Sequence, residues 1–81
     1  MNDRSAKLIV VAAFDRDDEG GLRPAFDPRE MQSKDAAVRL AKTIEDHHAG
    51  VIAWVREVNP AIGEYGEPTI LYQVGDVPAM E

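Results

Sequence analysis

The sequence feature that most constrains the fold is an apolar segment near the N-terminus in which polar and apolar residues do not alternate. Residues 7–14 read KLIVVAAF and include the β-branched Ile9, Val10 and Val11. Successive side chains of a strand point to opposite faces, so a strand that is apolar throughout is typical of one buried on both faces. The run is too short for a membrane-spanning helix, which needs about 20 residues. It therefore predicts a central strand that needs cover on two sides.

A second segment, residues 51–58 (VIAWVREV), is also mainly apolar on both faces. As a strand it divides into two sets, Val51, Ala53 and Val55 on one face and Ile52, Trp54, Arg56 and Val58 on the other. A third strand is predicted over residues 69–74, with Ile70, Tyr72 and Val74 opposing Thr69, Leu71 and Gln73.

The clearest element is a helix predicted over residues 34–49. Ser33 is a typical N-cap, Asp35 stands in the first turn where the helix dipole favours negative charge, and Gly50 suits the left-handed residue that ends a helix. One narrow apolar face recurs at helical spacing, formed by Ala37, Leu40, Ala41, Ile44 and His48.

The remaining segments are predicted as turns, loops and ends. Residues 15–21 (DRDDEGG) form a turn, and residues 22–26 form a short antiparallel strand. Pro24 confines that strand to an edge, because proline has no N–H to donate to a neighbour. The other predictions are loops over residues 27–32 and 59–68 and flexible ends over residues 1–6 and 76–81.

These elements predict one α+β domain over residues 1–81. It has a small sheet of three or four strands and one main helix, in the order β-(β)-α-β-β. The connection through the helix permits the first strand and the 51–58 strand to pair in parallel.

One helix can cover only one face of this sheet, whereas two strands are apolar on both faces. Leaving the second face in water would forfeit several kcal/mol, at about 25 cal/mol per Å² of apolar surface. A second copy of the chain is the simplest cover, as a two-fold or strand-exchanged homodimer. The alternative is a monomer in which residues 15–32 fold back, with Leu22, Phe26 and Met31 capping the sheet.

The predicted interaction surface consists of Trp54, Arg56 and Tyr72. Trp54 and Arg56 lie two residues apart on one strand face, and we expect Tyr72 opposite them on the neighbouring strand. Trp and Arg are favoured at protein interfaces. The same group could instead bind an anion or a flat ligand through cation–π contacts and hydrogen bonds.

Composition excludes several function classes. The absence of cysteine excludes disulfides, zinc–thiolate sites and thiol catalysis, and it is consistent with a cytoplasmic location. Fifteen acidic against nine basic residues, a net charge of −6, argue against binding to nucleic acid or to an anionic membrane. A protein partner other than the chain itself is left open, and no cofactor is expected.

Adjacent histidines, His47 and His48, are further candidates for acid–base or ligand chemistry. A metal pair on a helix needs i,i+4 spacing, whereas neighbouring side chains point about 100° apart. A structural role is therefore favoured. The only serines are Ser5 and Ser33, so no nucleophile–base pair is suggested, and an enzyme is not favoured.

Acidic residues in the predicted turn resemble the opening of a calcium loop, with Asp15, Asp17 and Glu19 followed by Gly20. The resemblance fails at the twelfth position, where Phe26 replaces the bidentate acid. A solvated turn is favoured, and no metal site is expected.

Residues 49–78 (AGVIAWVREVNPAIGEYGEPTILYQVGDVP), with the alanine-rich helix before them, are similar to small bacterial proteins that share an AGVIAW strand and a GEYGEP loop. No activity comes with this resemblance. The sequence favours a small non-catalytic homodimeric domain of the interaction or accessory type. The alternative is a small-molecule binding module with a pocket between the helix and residues 59–68, and an enzyme acting at the dimer interface is third.

Overall fold

A computed structural model describes residues 6–59 and 64–78 of the chain. Within them the fold is α+β, as the sequence predicts, with one main helix and an antiparallel sheet. The elements are β1 (Ala6–Arg16), β2 (Leu22–Pro24), β3 (Arg29–Met31), α1 (Lys34–Ile44), a 3₁₀ turn (Glu45–His47), β4 (Gly50–Asn59), β5 (Glu64–Tyr65) and β6 (Thr69–Gly75). The described helices include none that is long and apolar enough to cross a membrane.

The sheet has two long central strands and divided edges. β1 and β4 pair along nine residue pairs, from Ala6↔Val58 to Phe14↔Gly50. The short strands β2 and β3 both pair with the outer side of β1, and β5 and β6 both pair with the outer side of β4. The two strands that the sequence identifies as apolar on both faces are therefore the two central ones.

The prediction that β1 and β4 could pair in parallel is wrong, and the reason is a missed strand. The sequence predicts a loop over residues 27–32, but β3 lies among them and pairs antiparallel with β1, as β2 does before it. The chain has thus travelled back along β1 before α1 starts. α1 then leads the chain back toward the end of β1. β4 therefore begins opposite Phe14 and runs antiparallel to β1.

The N-cap is where the sequence predicts it, but the helix is shorter than expected. The backbone N–H of Ala36 donates to Oγ of Ser33 at 3.0 Å. α1 ends at Ile44 and is followed by the 3₁₀ turn, and His48 is already extended. Gly50 is not the left-handed end of the helix, because it belongs to β4 and only Gly20 and Gly75 have positive φ among the described residues.

The main core lies between α1 and one face of the sheet, called here the helix face. Its buried residues come from three elements: Ile9, Val11 and Ala13 of β1, Val51, Ala53 and Val55 of β4, and Ala37 and Ala41 of α1. The alanines of the helix allow it to approach the strands closely. Phe26 and Met31 also pack against this cluster.

The opposite side of the sheet is called here the open face. Its central residues are Leu8, Val10, Ala12 and Phe14 of β1 and Ile52, Trp54 and Arg56 of β4, and Ile70 of β6 lies beside them. Residues 15–32 do not fold over this face as a cap, because they form a turn and two edge strands. Leu22 lies at the edge of the open face opposite Arg16, and Phe26 and Met31 pack on the helix face.

The chain ends are only partly described. Residues 1–5 and 79–81, which contain most of the predicted flexible ends, lie outside the described residues. Asp76 is held in place: its N–H donates to the carbonyl of Ala49 at 2.9 Å, and its carboxylate lies 2.5 Å from Arg16.

Candidate interaction surface

The open face is apolar at its centre and polar at one edge. The pairing of β3, β1, β4 and β6 places four side chains in one row across the sheet, in the order Glu30, Val10, Trp54 and Ile70. Val10, Ala12 and Ile52 are buried, as expected for small and medium side chains in the middle of a sheet.

Larger apolar side chains surround these three residues and are not fully buried. Leu8, Phe14 and Trp54 are half-buried, and Ile70 keeps 44% of its surface exposed. No helix from the described part of the chain lies over them. The face therefore presents apolar surface to solvent around a buried floor.

Trp54 and Arg56 are brought together on the open face, as the sequence predicts from their spacing. The guanidinium carbon of Arg56 lies 5.5 Å from the centroid of the Trp54 ring, within cation–π distance. Nε of Arg56 is buried and donates to no acceptor within residues 6–59 and 64–78. A buried donor without a partner costs free energy, so this Nε is energetically unfavourable among the described residues.

Tyr72 does not join them, and the prediction that it shares their face is wrong. A β-bulge between Ala53 and Trp54 pairs Trp54 with Ile70 but Ala53 with Tyr72. The extra residue, Leu71, reverses the alternation, so that Ile70 and Tyr72 lie on opposite faces of the sheet. Simple alternation cannot reveal this, because β6 contains no glycine or proline near the bulge to mark it.

Tyr72 instead connects the helix face of β6 to the end of α1. Its hydroxyl donates a hydrogen bond to the carboxylate of Glu45, and Nζ of Lys42 lies 5.7 Å from its ring centroid. The hydrogen bond to Glu45, then desolvation, then the negative charges of Glu45 and Asp46 raise the pKa of Tyr72 above its ordinary value of 10.0.

The two histidines have separate environments. His47 is exposed in the 3₁₀ turn. His48 is half-buried, with Nδ1 at 3.0 Å from Oδ1 of Asp15 and its ring edge-on to Phe26 at 5.9 Å between centroids. The sequence does not predict this histidine–carboxylate pair, because 33 residues separate its members.

The acidic turn satisfies its own hydrogen-bonding groups. Oδ1 of Asp17 accepts from the N–H groups of Glu19 at 2.9 Å and Gly21 at 2.8 Å. Gly20 has a φ of 84°, which the turn requires. No group of three histidine or acidic side chains that could hold a metal ion is found among the residues described.

A cavity of about 330 Å³ lies on the helix face beside the start of α1. It lies in the region where the sequence predicts a pocket for a binding module, between the helix and the segment that precedes β6. Its charged lining residues are Lys7, Lys34, Arg56, Glu57 and Glu67, and Val55, Gly66 and Thr69 complete the lining. Positive and negative side chains are both present, so the cavity has no single sign of charge.

The comparisons with known proteins assign no family to the chain. No family model matches it, and the searches of curated proteins and of solved structures found no match.

Proposed function

We propose that this chain is a homodimeric protein-interaction module and that two copies associate through the open face. The observation that carries the proposal is the exposed apolar surface around Trp54 and Ile70, on a sheet whose only described helix covers the other side. Exposed apolar patches on small domains mark interaction sites. A cytoplasmic accessory role without catalysis belongs to the same proposal.

The size of the open face is suitable for a dimer. The nine pairs of the β1–β4 ladder span about 30 Å, and four strand positions span about 20 Å. The projected area is therefore up to about 600 Å² per copy, of the same order as the roughly 800 Å² that each partner buries in a standard interface. The monomeric alternative would have residues 15–32 cover this face, but their two strands lie at its edge.

Two substitutions on β6 form a matched test of this interface. Ile70 and Val74 are the two exposed large apolar residues among those described, at 44% and 37%, and they lie on opposite faces of the sheet. Ile70→Glu places a charge on the open face, whereas Val74→Glu places the same charge on the helix face. Neither site is in the buried core, so both variants are expected to fold.

Light scattering on a gel-filtration peak, over a concentration series, measures the result. The unaltered chain should have a mass near twice 8.9 kDa. Ile70→Glu should give the mass of one chain, and Val74→Glu should remain dimeric. A monomeric unaltered chain, or equal behaviour of the two variants, would contradict the proposal.

The cavity beside α1 favours a small-molecule binding module as the second candidate. Its volume is near the lower end of ligand sites, which span roughly 300–1,000 Å³. Ammonium groups from Lys7 and Lys34 and carboxylates from Glu57 and Glu67 suit a zwitterion such as a free amino acid. A rise in melting temperature with free amino acids that Lys34→Gln abolishes would favour this candidate.

An enzyme acting at the dimer interface is the third candidate. Its acid–base pair would be His48 and Asp15. Asp15 points to the helix face, opposite the open face, so the proposed interface does not include this pair. This geometry ranks the enzyme last.

A further inference from the structure

The open face carries three charged side chains among those described, and they differ in what they contact. Arg16 is already paired with Asp76 at 2.5 Å. Arg56 stacks on Trp54 but has a buried Nε with no acceptor in the described part of the chain. Glu30 is exposed on β3 and forms no ion pair among the described residues.

Within one chain the side chains of Glu30 and Arg56 leave the same face of the sheet side by side and do not point toward each other. Glu30 is opposite Val10, and Arg56 is opposite Leu8, the next residue of β1 on the same face. Two strand spacings and a two-residue rise therefore separate their backbones, about 9.6 Å across the sheet and about 6.8 Å along it. No ion pair joins them among the described residues.

A two-fold axis parallel to the strands turns the side chains of the two residues toward each other between copies. Such an axis lies between two stacked sheets and places β1 of one copy over β4 of the other, with β3 over β6. In the plane of the sheets, Glu30 and Arg56 of the second copy are then about 4.8 Å apart across the strands and about 6.8 Å apart along them. Sheets stack about 10 Å apart, so the two backbones would be about 13 Å apart, and the two long side chains would point toward each other across this gap.

We propose that Arg56 of each copy pairs with Glu30 of the other copy, so that two symmetric ion pairs flank the apolar centre of the dimer. This inference rests on the proposed homodimer and identifies its symmetry axis. It gives the guanidinium of Arg56, which forms no ion pair among the described residues, a carboxylate partner on the second copy. Paired charges at an interface fix the orientation in which two apolar surfaces meet.

A charge exchange tests the pairing. Arg56→Glu and Glu30→Arg each place like charges together, so each should raise the dimer Kd by about 10-fold or more. The double variant restores opposite charges and should return to within about threefold of the unaltered chain. The Kd values come from sedimentation equilibrium at low salt.

Control variants separate this pairing from effects on folding or net charge. Glu19→Arg makes the same charge change as Glu30→Arg, but in the exposed β1–β2 turn, and should leave the Kd unchanged. Glu30 is exposed, so Glu30→Arg tests the pairing even if Arg56→Glu fails to fold.

The two proposals fail in distinguishable ways. A dimer that Ile70→Glu disrupts, but whose Kd does not respond to Glu30→Arg, overturns the pairing and leaves the open-face dimer standing. Two single variants that weaken the dimer without recovery in a folded double variant also overturn the pairing. A monomeric unaltered chain overturns both proposals.

Discussion

At the scale of single residues, Tyr72 shows how one hydroxyl can connect two elements. It lies on β6, and its hydrogen bond reaches Glu45 just beyond the end of α1. The phenol form donates this bond, whereas a phenolate would be repelled by the carboxylate. The native fold therefore favours the protonated tyrosine, and this raises its pKa.

The raised pKa of Tyr72 predicts a loss of stability at high pH. The folded chain holds the phenol proton more tightly than the unfolded chain. The contribution of the Tyr72–Glu45 hydrogen bond to stability is therefore complete below pH 10.0 and is lost as the pH rises through the folded pKa. Urea denaturation from pH 8 to pH 11 measures the free energy of unfolding of both chains. It should be larger for the unaltered chain than for Tyr72→Phe below pH 10, and this difference should disappear above pH 10. A difference between the two chains that is constant with pH would refute this role.

At the scale of secondary-structure elements, the start of β4 is shaped by the end of β6. A Cβ built on Gly50 would lie 1.8 Å from the carbonyl oxygen of Asp76, and one built on Gly75 would lie 2.2 Å from that of Ala49. The backbone at Asp76 passes so close to Gly50 that no residue with a Cβ fits at position 50. Gly50 is thus required for the contact between strands and not for the end of the helix.

Replacing Gly50 with alanine should therefore destabilise the fold. The added methyl group meets backbone atoms, which cannot move as a flexible side chain can, and overpacking of this kind costs about 1–3 kcal/mol. Gly66→Ala is the matched control, since its Cβ would approach nothing closer than 3.4 Å. Thermal melts monitored by circular dichroism compare the two, and equal melting temperatures would contradict this explanation.

At the scale of the whole molecule, the proposed homodimer would make stability depend on association, because the described helix covers only one face of the sheet. If the second copy completes the fold, dimer formation stabilises the native state by mass action. The apolar surface around Trp54 and Ile70 is the part of the molecule that this completion would bury.

Melting temperature should consequently rise with protein concentration in the unaltered chain. Ile70→Glu, which removes association, should melt at the same temperature at every concentration. Differential scanning calorimetry over a hundredfold range of concentration makes the comparison. A melting temperature independent of concentration in both chains would argue that the folded unit is the single chain.

The sequence alone determined those features that depend on a few neighbouring residues. The apolar run in β1, the two faces of β4 and the Ser33 cap each rest on local spacing or one short hydrogen bond. The contact between Trp54 and Arg56 was also predictable, because residues two apart on a strand share a face.

Tertiary structure decided everything that depends on pairing between distant segments. The unrecognised strand β3 reversed the direction of β4 relative to β1, and the bulge in β6 moved Tyr72 to the helix face. His48 met Asp15, and Gly50 met Asp76, across long stretches of chain. These features depend on the register of one strand against another, and a shift of one residue in register exchanges the faces of a strand without changing its sequence.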